Sequence, residues 1–131
     1  MTLECIFEIA QDHVICNVFG QFTVEEGVRV IQSTVDTCGL NGFEHALIDA
    51  TAIKHPVLAT KKIIAAYKVE ELLNDLLKMG QALPRIAIFG TAPFIGIYKP
   101  ASEYFQLNSI PIRVFDSQSS AKEWLFAVDA K

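Results

Sequence analysis

The three histidines are the first residues in this chain whose type could support chemistry. His13, His45 and His55 stand far apart, and none has a second histidine four residues away. A spacing of four residues would place two histidine ligands on one face of a helix. Because the chain has no such pair, the sequence predicts no metal site. His55 precedes Pro56 in a predicted loop, where an imidazole could act as an acid or a base. A surface histidine is the favoured interpretation.

The three cysteines, Cys5, Cys16 and Cys38, are an odd number and contain no C-x-x-C pair. Such a set is typical of a reducing compartment, so we expect free thiols and a cytoplasmic protein. Cys5 and Cys16 fall on the predicted buried face of a hairpin. We interpret both as small core residues.

Asp49 is the carboxylate best placed to contact a ligand, because it ends a predicted strand at the edge where open α/β sheets bind small molecules. A carboxylate there more commonly caps its own loop, which is the favoured interpretation. An enzyme that uses Asp49 with His55 is therefore only the third choice of function. The chain also contains no G-x-S-x-G elbow, phosphate loop or dinucleotide-binding glycine pattern. The sequence predicts no enzyme, no catalytic residue and no cofactor.

A β-hairpin begins the series of elements that would position these residues. A turn at Gln11-Asp12 places six residues on one buried face, because side chains alternate along a strand: Cys5, Phe7, Ile9, Val14, Cys16 and Val18. In this register residues 5, 7 and 9 pair with residues 18, 16 and 14.

Helices and strands alternate after the hairpin. Thr23 and Glu26 form a capping box for a first helix, and Gly39 is expected to end it. A loop over residues 51–59 precedes a second helix over residues 60–79. Its inward side is predicted to hold Ile64, Tyr67, Leu72, Leu73, Leu76 and Leu77. Further strands are predicted at residues 46–49, 85–89 and 112–115, and Ser117 caps a last helix.

This order predicts a single α/β domain over residues 1–131, with parallel strands joined by right-handed crossovers. Ile86 and Ile112 are predicted to point to one face of the sheet, whereas Arg85 and Arg113 are predicted to point to the other. A parallel sheet covered on both faces would be apolar on both. We therefore expect helices mainly on one face.

The composition of the chain limits the classes of partner that we expect. The net charge is −4, which disfavours nucleic acid because nucleic-acid binding normally needs a basic face. No apolar run approaches the ~20 residues that span a bilayer. The mean hydropathy is nevertheless positive, so the chain has more apolar side chains than a soluble domain of this size usually carries.

Four segments in this order resemble the SpoIIAA-like branch of the STAS domains: GQFTVEE from Gly20, ALID from Ala46, RIAIFG from Arg85 and IRVFDS from Ile112. The resemblance covers nearly the whole chain. It implies a mixed five-stranded sheet with an antiparallel first strand and helices mainly on one side. It also implies binding of a lipid or another apolar ligand beside a movable third helix.

The resemblance raises a second function, that of an anti-sigma-factor antagonist. Those proteins carry a phosphorylated serine in an Asp-Ser-Ser-Gly sequence at the start of the second helix, and this chain has no such sequence. Thr60 occupies a similar place, where a helix-capping threonine is the favoured interpretation. The alternative is a regulatory Thr60 in a partner-switch protein that docks through residues 51–62.

Residues 91–107 hold a dense group of aromatic and aliphatic side chains. Pro100 would break or kink a helix that began near Pro93, so the helix either starts at Pro100 or bends there. The apolar side chains either cover the hydrophobic core or form an interaction site. We interpret them as a ligand site formed by Phe94, Ile97, Tyr98 and Tyr104.

The sequence thus predicts a non-enzymatic binding or regulatory module. Its expected partners are an apolar small molecule or lipid near the third helix, or a protein. The identity of the ligand and the oligomeric state, including a homo-oligomer, stay open at this stage.

Overall fold

A mixed five-stranded sheet organises the chain, as the sequence predicted. The computed structural model describes residues 3–54, 59–91 and 94–127; the side chains of residues 54, 59–63, 65, 94–99 and 101 lie outside the described part. The strands are β1 (Leu3–Ile9), β2 (Val14–Gln21), β3 (His45–Lys54), β4 (Arg85–Phe89) and β5 (Ile112–Phe115), and they follow one another in the sheet in that order. β1 is antiparallel to β2, and the other neighbours are parallel.

The hairpin register is confirmed. Phe7 pairs with Cys16, Cys5 with Val18 and Ile9 with Val14. Val14, Cys16 and Val18 are buried, and Cys5 and Phe7 pack against the core. Ile9 is 52% exposed, contrary to the prediction, because it is the last residue of the edge strand.

The helices cover the two faces of the sheet unequally. The helices α1 (Val24–Asn41), α2 (Ala59–Lys78) and α3 (Phe94–Leu107) pack on one face over a core that includes Ile48, Ile86 and Ile112. The short helix α4 (Gln118–Leu125) packs on the other face against Leu47, Ala87 and Phe89. The alternating parity of the strands produces this division, so the prediction of helices mainly on one face is confirmed.

The ends of α1 are set by local chemistry. The Thr23 hydroxyl accepts a hydrogen bond from the Glu26 backbone N–H at 3.2 Å, which confirms the predicted cap. The Glu26 carboxylate instead binds the Arg29 guanidinium. The helix continues past Gly39 and ends at Gly42, whose φ of 71° lies in the left-handed region that glycine adopts without strain.

The predicted inward side of α2 was partly wrong. Ile64, Tyr67 and Leu77 are about half exposed. Among the described side chains of α2, the buried ones are those of Ala66, Val69, Leu73 and Leu76. Because this helix is apolar over more than one side, its periodicity does not select a face; packing against α1, α3 and the sheet does.

Two boundaries also differ from expectation. β3 continues to Lys54, so residues 50–54 extend the strand that was predicted to end at Asp49. A register shift between Asn17 and Phe19 of β2 accommodates this extension. α3 is one helix from Phe94 to Leu107 that contains Pro100, so it does not begin at the proline. The Ser102 hydroxyl of α3 accepts a hydrogen bond from the Val114 backbone N–H and ties the helix to the edge strand β5.

Candidate functional site

An apolar cavity lies between the sheet and the three helices α1, α2 and α3. Its volume is about 80 Å³. Sheet residues on its wall include Ile48, Ala50, Ile88, Ile112 and Val114, and helix residues include Val30, Ile31, Ala66, Val69 and Phe105. Apart from Gly27, every described residue that lines it has an apolar side chain. A space lined in this way favours a hydrocarbon group over water.

Small residues keep this space open. Ala50 of β3 and Ala66 of α2 are almost fully buried on the wall, where a longer side chain would enter the cavity. Gly27 of α1 also lines the cavity, and a Cβ atom there would lie 2.8 Å from the Phe22 ring. The absence of a Cβ atom at Gly27 therefore allows this close approach between α1 and the Phe22 ring, which is itself part of the wall, and a side chain at residue 27 would make the ring shift.

Tyr104, one of the predicted ligand residues, lies between α2 and α3. Its hydroxyl donates a hydrogen bond to the Glu70 carboxylate, and its ring contacts that of Tyr67 edge to face, with centroids 5.1 Å apart. The hydrogen bond to Glu70 raises the pKa of Tyr104 to about 12. Its neighbour Phe105 lines the cavity, which the sequence analysis missed. The signal in the sequence that could have identified Phe105 was the helical period of three to four residues between inward-facing apolar side chains.

The side chains of the other predicted site residues lie outside the described part of the chain. Phe94, Ile97 and Tyr98 belong to the first half of α3, and Thr60 to the first turn of α2, but their side chains lie outside the described part. His55 also lies outside the described residues.

Asp49 acts as a local cap. One carboxylate oxygen accepts hydrogen bonds from the Thr51 backbone N–H at 2.9 Å and from the Thr51 hydroxyl at 2.6 Å. These two bonds hold the strand extension in place, as the favoured interpretation of Asp49 predicted.

The described cysteines are free thiols, and Cys16 and Cys38 are buried. Burial raises the pKa of Cys16 to about 12 and that of Cys38 to about 11. Buried thiols with raised pKa values are poor nucleophiles.

A histidine pair that the sequence did not predict lies at the other end of the sheet. His13 and His45 flank the Phe126 ring, with ring centroids 5.1 and 5.3 Å from it. The Asp12 carboxylate lies 2.7 Å from His13 Nδ1, and this hydrogen bond lowers the pKa of Asp12. The His13 Nε2 atom is buried without a partner among the described residues. A buried ring of this kind gives a substrate no access.

Within residues 3–54, 59–91 and 94–127, no three His, Cys, Asp or Glu side chains are placed to hold a metal ion. In the same ranges no helix is both long and apolar enough to cross a membrane.

Comparison with known proteins identifies the fold. No protein-family profile matches the chain. No curated protein matches it either. Solved structures do match. One is an uncharacterised protein of the DUF3478 family with a SpoIIAA-like fold from Shewanella loihica PV-4, at 23% identity and a TM-score of 0.50, over 95% of this chain and 93% of the other.

A second match is an anti-sigma factor antagonist from Mycobacterium paratuberculosis, at 10% identity and a TM-score of 0.52, over 95% of this chain and 94% of the other. Together with the five-stranded topology, these likenesses establish a SpoIIAA-like STAS fold, as the resemblance in sequence implied. At these identities the likeness concerns the fold alone.

Proposed function

We propose that this protein is a non-enzymatic binding module that takes an apolar small molecule, or the hydrocarbon part of a lipid, into the cavity beneath α1, α2 and α3. The observation that supports this proposal is the composition of the cavity wall, whose described side chains are all apolar. Burial of a hydrocarbon group there gains about 25 cal/mol for each Å² removed from water. No charged side chain of the described wall would neutralise a headgroup, so the inserted part is uncharged.

The volume limits the inserted group. An engineered apolar cavity of about 150 Å³ holds benzene, and this cavity measures about 80 Å³. The space therefore suits a short alkyl group or the edge of a ring. A longer acyl chain requires a helix to move away from the sheet.

The third helix is the proposed entrance. Phe105 of α3 is on the wall, and Phe94, Ile97 and Tyr98 precede it in the same helix. We keep these three residues as proposed ligand contacts. Pro100 supports the proposal, because it offers no N–H to the preceding turn and so weakens the helix between its two halves.

The test is an NMR titration with dissolved xenon, a neutral apolar probe small enough for a cavity of this size. Ala50→Leu places a larger side chain in the cavity and should abolish binding of the probe while the protein stays folded, because a void accepts added carbon atoms. Ala52→Leu, at an exposed position of the same strand, is the matched control and should bind normally. Unchanged binding by Ala50→Leu would remove the cavity as the site.

A partner-switch function is the second candidate. It is supported by the fold shared with a protein described as an anti-sigma factor antagonist. It is also supported by Thr60 in the first turn of α2, which has no acidic residue there, so a phosphate would meet a favourable helix N-terminus. Docking would then involve residues 51–62. Intact mass of protein from its native host should reveal the phosphate, and its absence, together with unaltered partner binding by Thr60→Glu, would end this reading.

We place the protein in the cytoplasm. This proposal is supported by the free thiols of Cys5, Cys16 and Cys38, which suit a reducing compartment.

A further inference from the structure

Two of the five strands have no helix of the described ranges over their outer side. α4 packs on β3, β4 and β5. The adjoining part, formed by the outward residues of β1 and β2, is covered by no helix of the described ranges. We call this surface the open face; its residues are Glu4, Ile6, Glu8, Ile15, Asn17 and Phe19.

The open face combines apolar side chains with carboxylates. Ile6 is 58% exposed, and Ile15 and Phe19 are half-buried beside it. The register places Glu4 opposite Phe19 and Glu8 opposite Ile15, so two carboxylates border the apolar centre along the outer strand.

The carboxylates of this border form no ion pair with a lysine or arginine among the described side chains, which do not include that of Lys54. Glu8 accepts a hydrogen bond from the Asn17 amide at 2.7 Å. Asp49 is the neighbour of Asn17 in the parallel register with β3 and adds a third carboxylate. An apolar surface with this border is complementary to a positively charged apolar partner.

We propose that the open face binds a cationic amphipathic helix of a partner protein. Two strands lie about 5 Å apart, and a helix with its side chains is about 10 Å wide, so one helix covers the uncovered pair. α4 already packs in this way on the other strands of the same face. A second copy of the chain is disfavoured, because a two-fold interface would bring Glu4 and Glu8 against the same carboxylates.

The spacing of the carboxylates defines the partner further. Glu4 and Glu8 are separated by four residues of extended strand, or about 13 Å. A helix rises about 1.5 Å per residue, so the matching lysines or arginines lie about nine residues apart and flank an apolar stripe.

The test uses a synthetic helical peptide of about 18 residues, with a leucine stripe and lysines nine residues apart, and a matched peptide with glutamates in place of the lysines. Fluorescence anisotropy should detect binding of the cationic peptide only, and binding should weaken as salt is added. Amide shifts should map to β1 and β2. Glu4→Gln with Glu8→Gln should weaken binding about tenfold at low salt.

Two variants control for charge and stability. Asp36→Asn with Glu71→Gln removes the same charge from exposed positions on the helical side and should leave binding unchanged. Ile6→Ser should weaken binding without lowering the melting temperature, because Ile6 is exposed. Equal binding of the acidic peptide, equal loss in the control variant, or a dimer that Ile6→Ser dissociates would each overturn the proposal.

Discussion

At the scale of single residues, the contact between Gly27 and Phe22 shapes the cavity. Alanine is better than glycine in a helix by about 1 kcal/mol, but a Cβ at residue 27 would lie 2.8 Å from the Phe22 ring, and overpacking costs about 1–3 kcal/mol. Gly27→Ala should therefore be neutral or destabilising in the native chain. In a Phe22→Ala background the same change should stabilise the protein by about 1 kcal/mol. Urea denaturation of the four proteins measures this, and equal effects in both backgrounds would show that the contact is absent.

The buried thiols give the stability a defined dependence on pH. The pKa of Cys16 is raised from 9.0 to about 12 and that of Cys38 to about 11, in both cases by burial. Above pH 9 the unfolded chain releases thiol protons that the folded chain still holds, so the free energy of unfolding should fall as pH rises from 9 towards 11. Denaturation curves should show a shallower fall for Cys38→Ala than for the parent protein, which keeps both buried thiols. Identical slopes would mean that Cys38 is accessible to water.

At the scale of elements, the hydrogen bond from Tyr104 to Glu70 ties α3 to α2. Tyr104→Phe removes the hydroxyl and should speed amide exchange in the second half of α3 while the sheet is unaffected. Glu70→Gln keeps an acceptor oxygen and should change exchange much less. The prediction fails if both variants exchange alike, or if the change extends to β2 and β3.

The elements also differ in how well the sequence predicts them. The hairpin register could be predicted because a shift of one residue would turn one strand over, and so either expose Cys16 and Val18 or bury Glu4 and Glu8. The inward side of α2 could not, because apolar residues occur around the helix and Ala66 gives a weak signal beside Ile64 and Tyr67. Neighbouring helices decide that face, and single-sequence periodicity does not contain them.

At the scale of the whole molecule, the two proposed sites lie on opposite faces of one sheet. The cavity collects residues from β1 to β5 and from three helices, so no local stretch of sequence predicts it. The ligand contacts predicted from the sequence were other residues of the third helix, and Phe105, which lines the cavity, was not among them. The open face arises because α4 is only eight residues long and covers three strands. The positive mean hydropathy of the chain is consistent with both surfaces.

The central claim is that the cavity takes an apolar group, and isoleucine-methyl NMR tests it most directly. Five described isoleucines lie on the wall, among them Ile31, Ile48 and Ile88, and others are exposed on the surface. With dissolved xenon, we expect saturable shifts of the methyl resonances of these three wall isoleucines and none of those of Ile6 or Ile9. Effects confined to the surface isoleucines, or no saturable binding, would contradict the account.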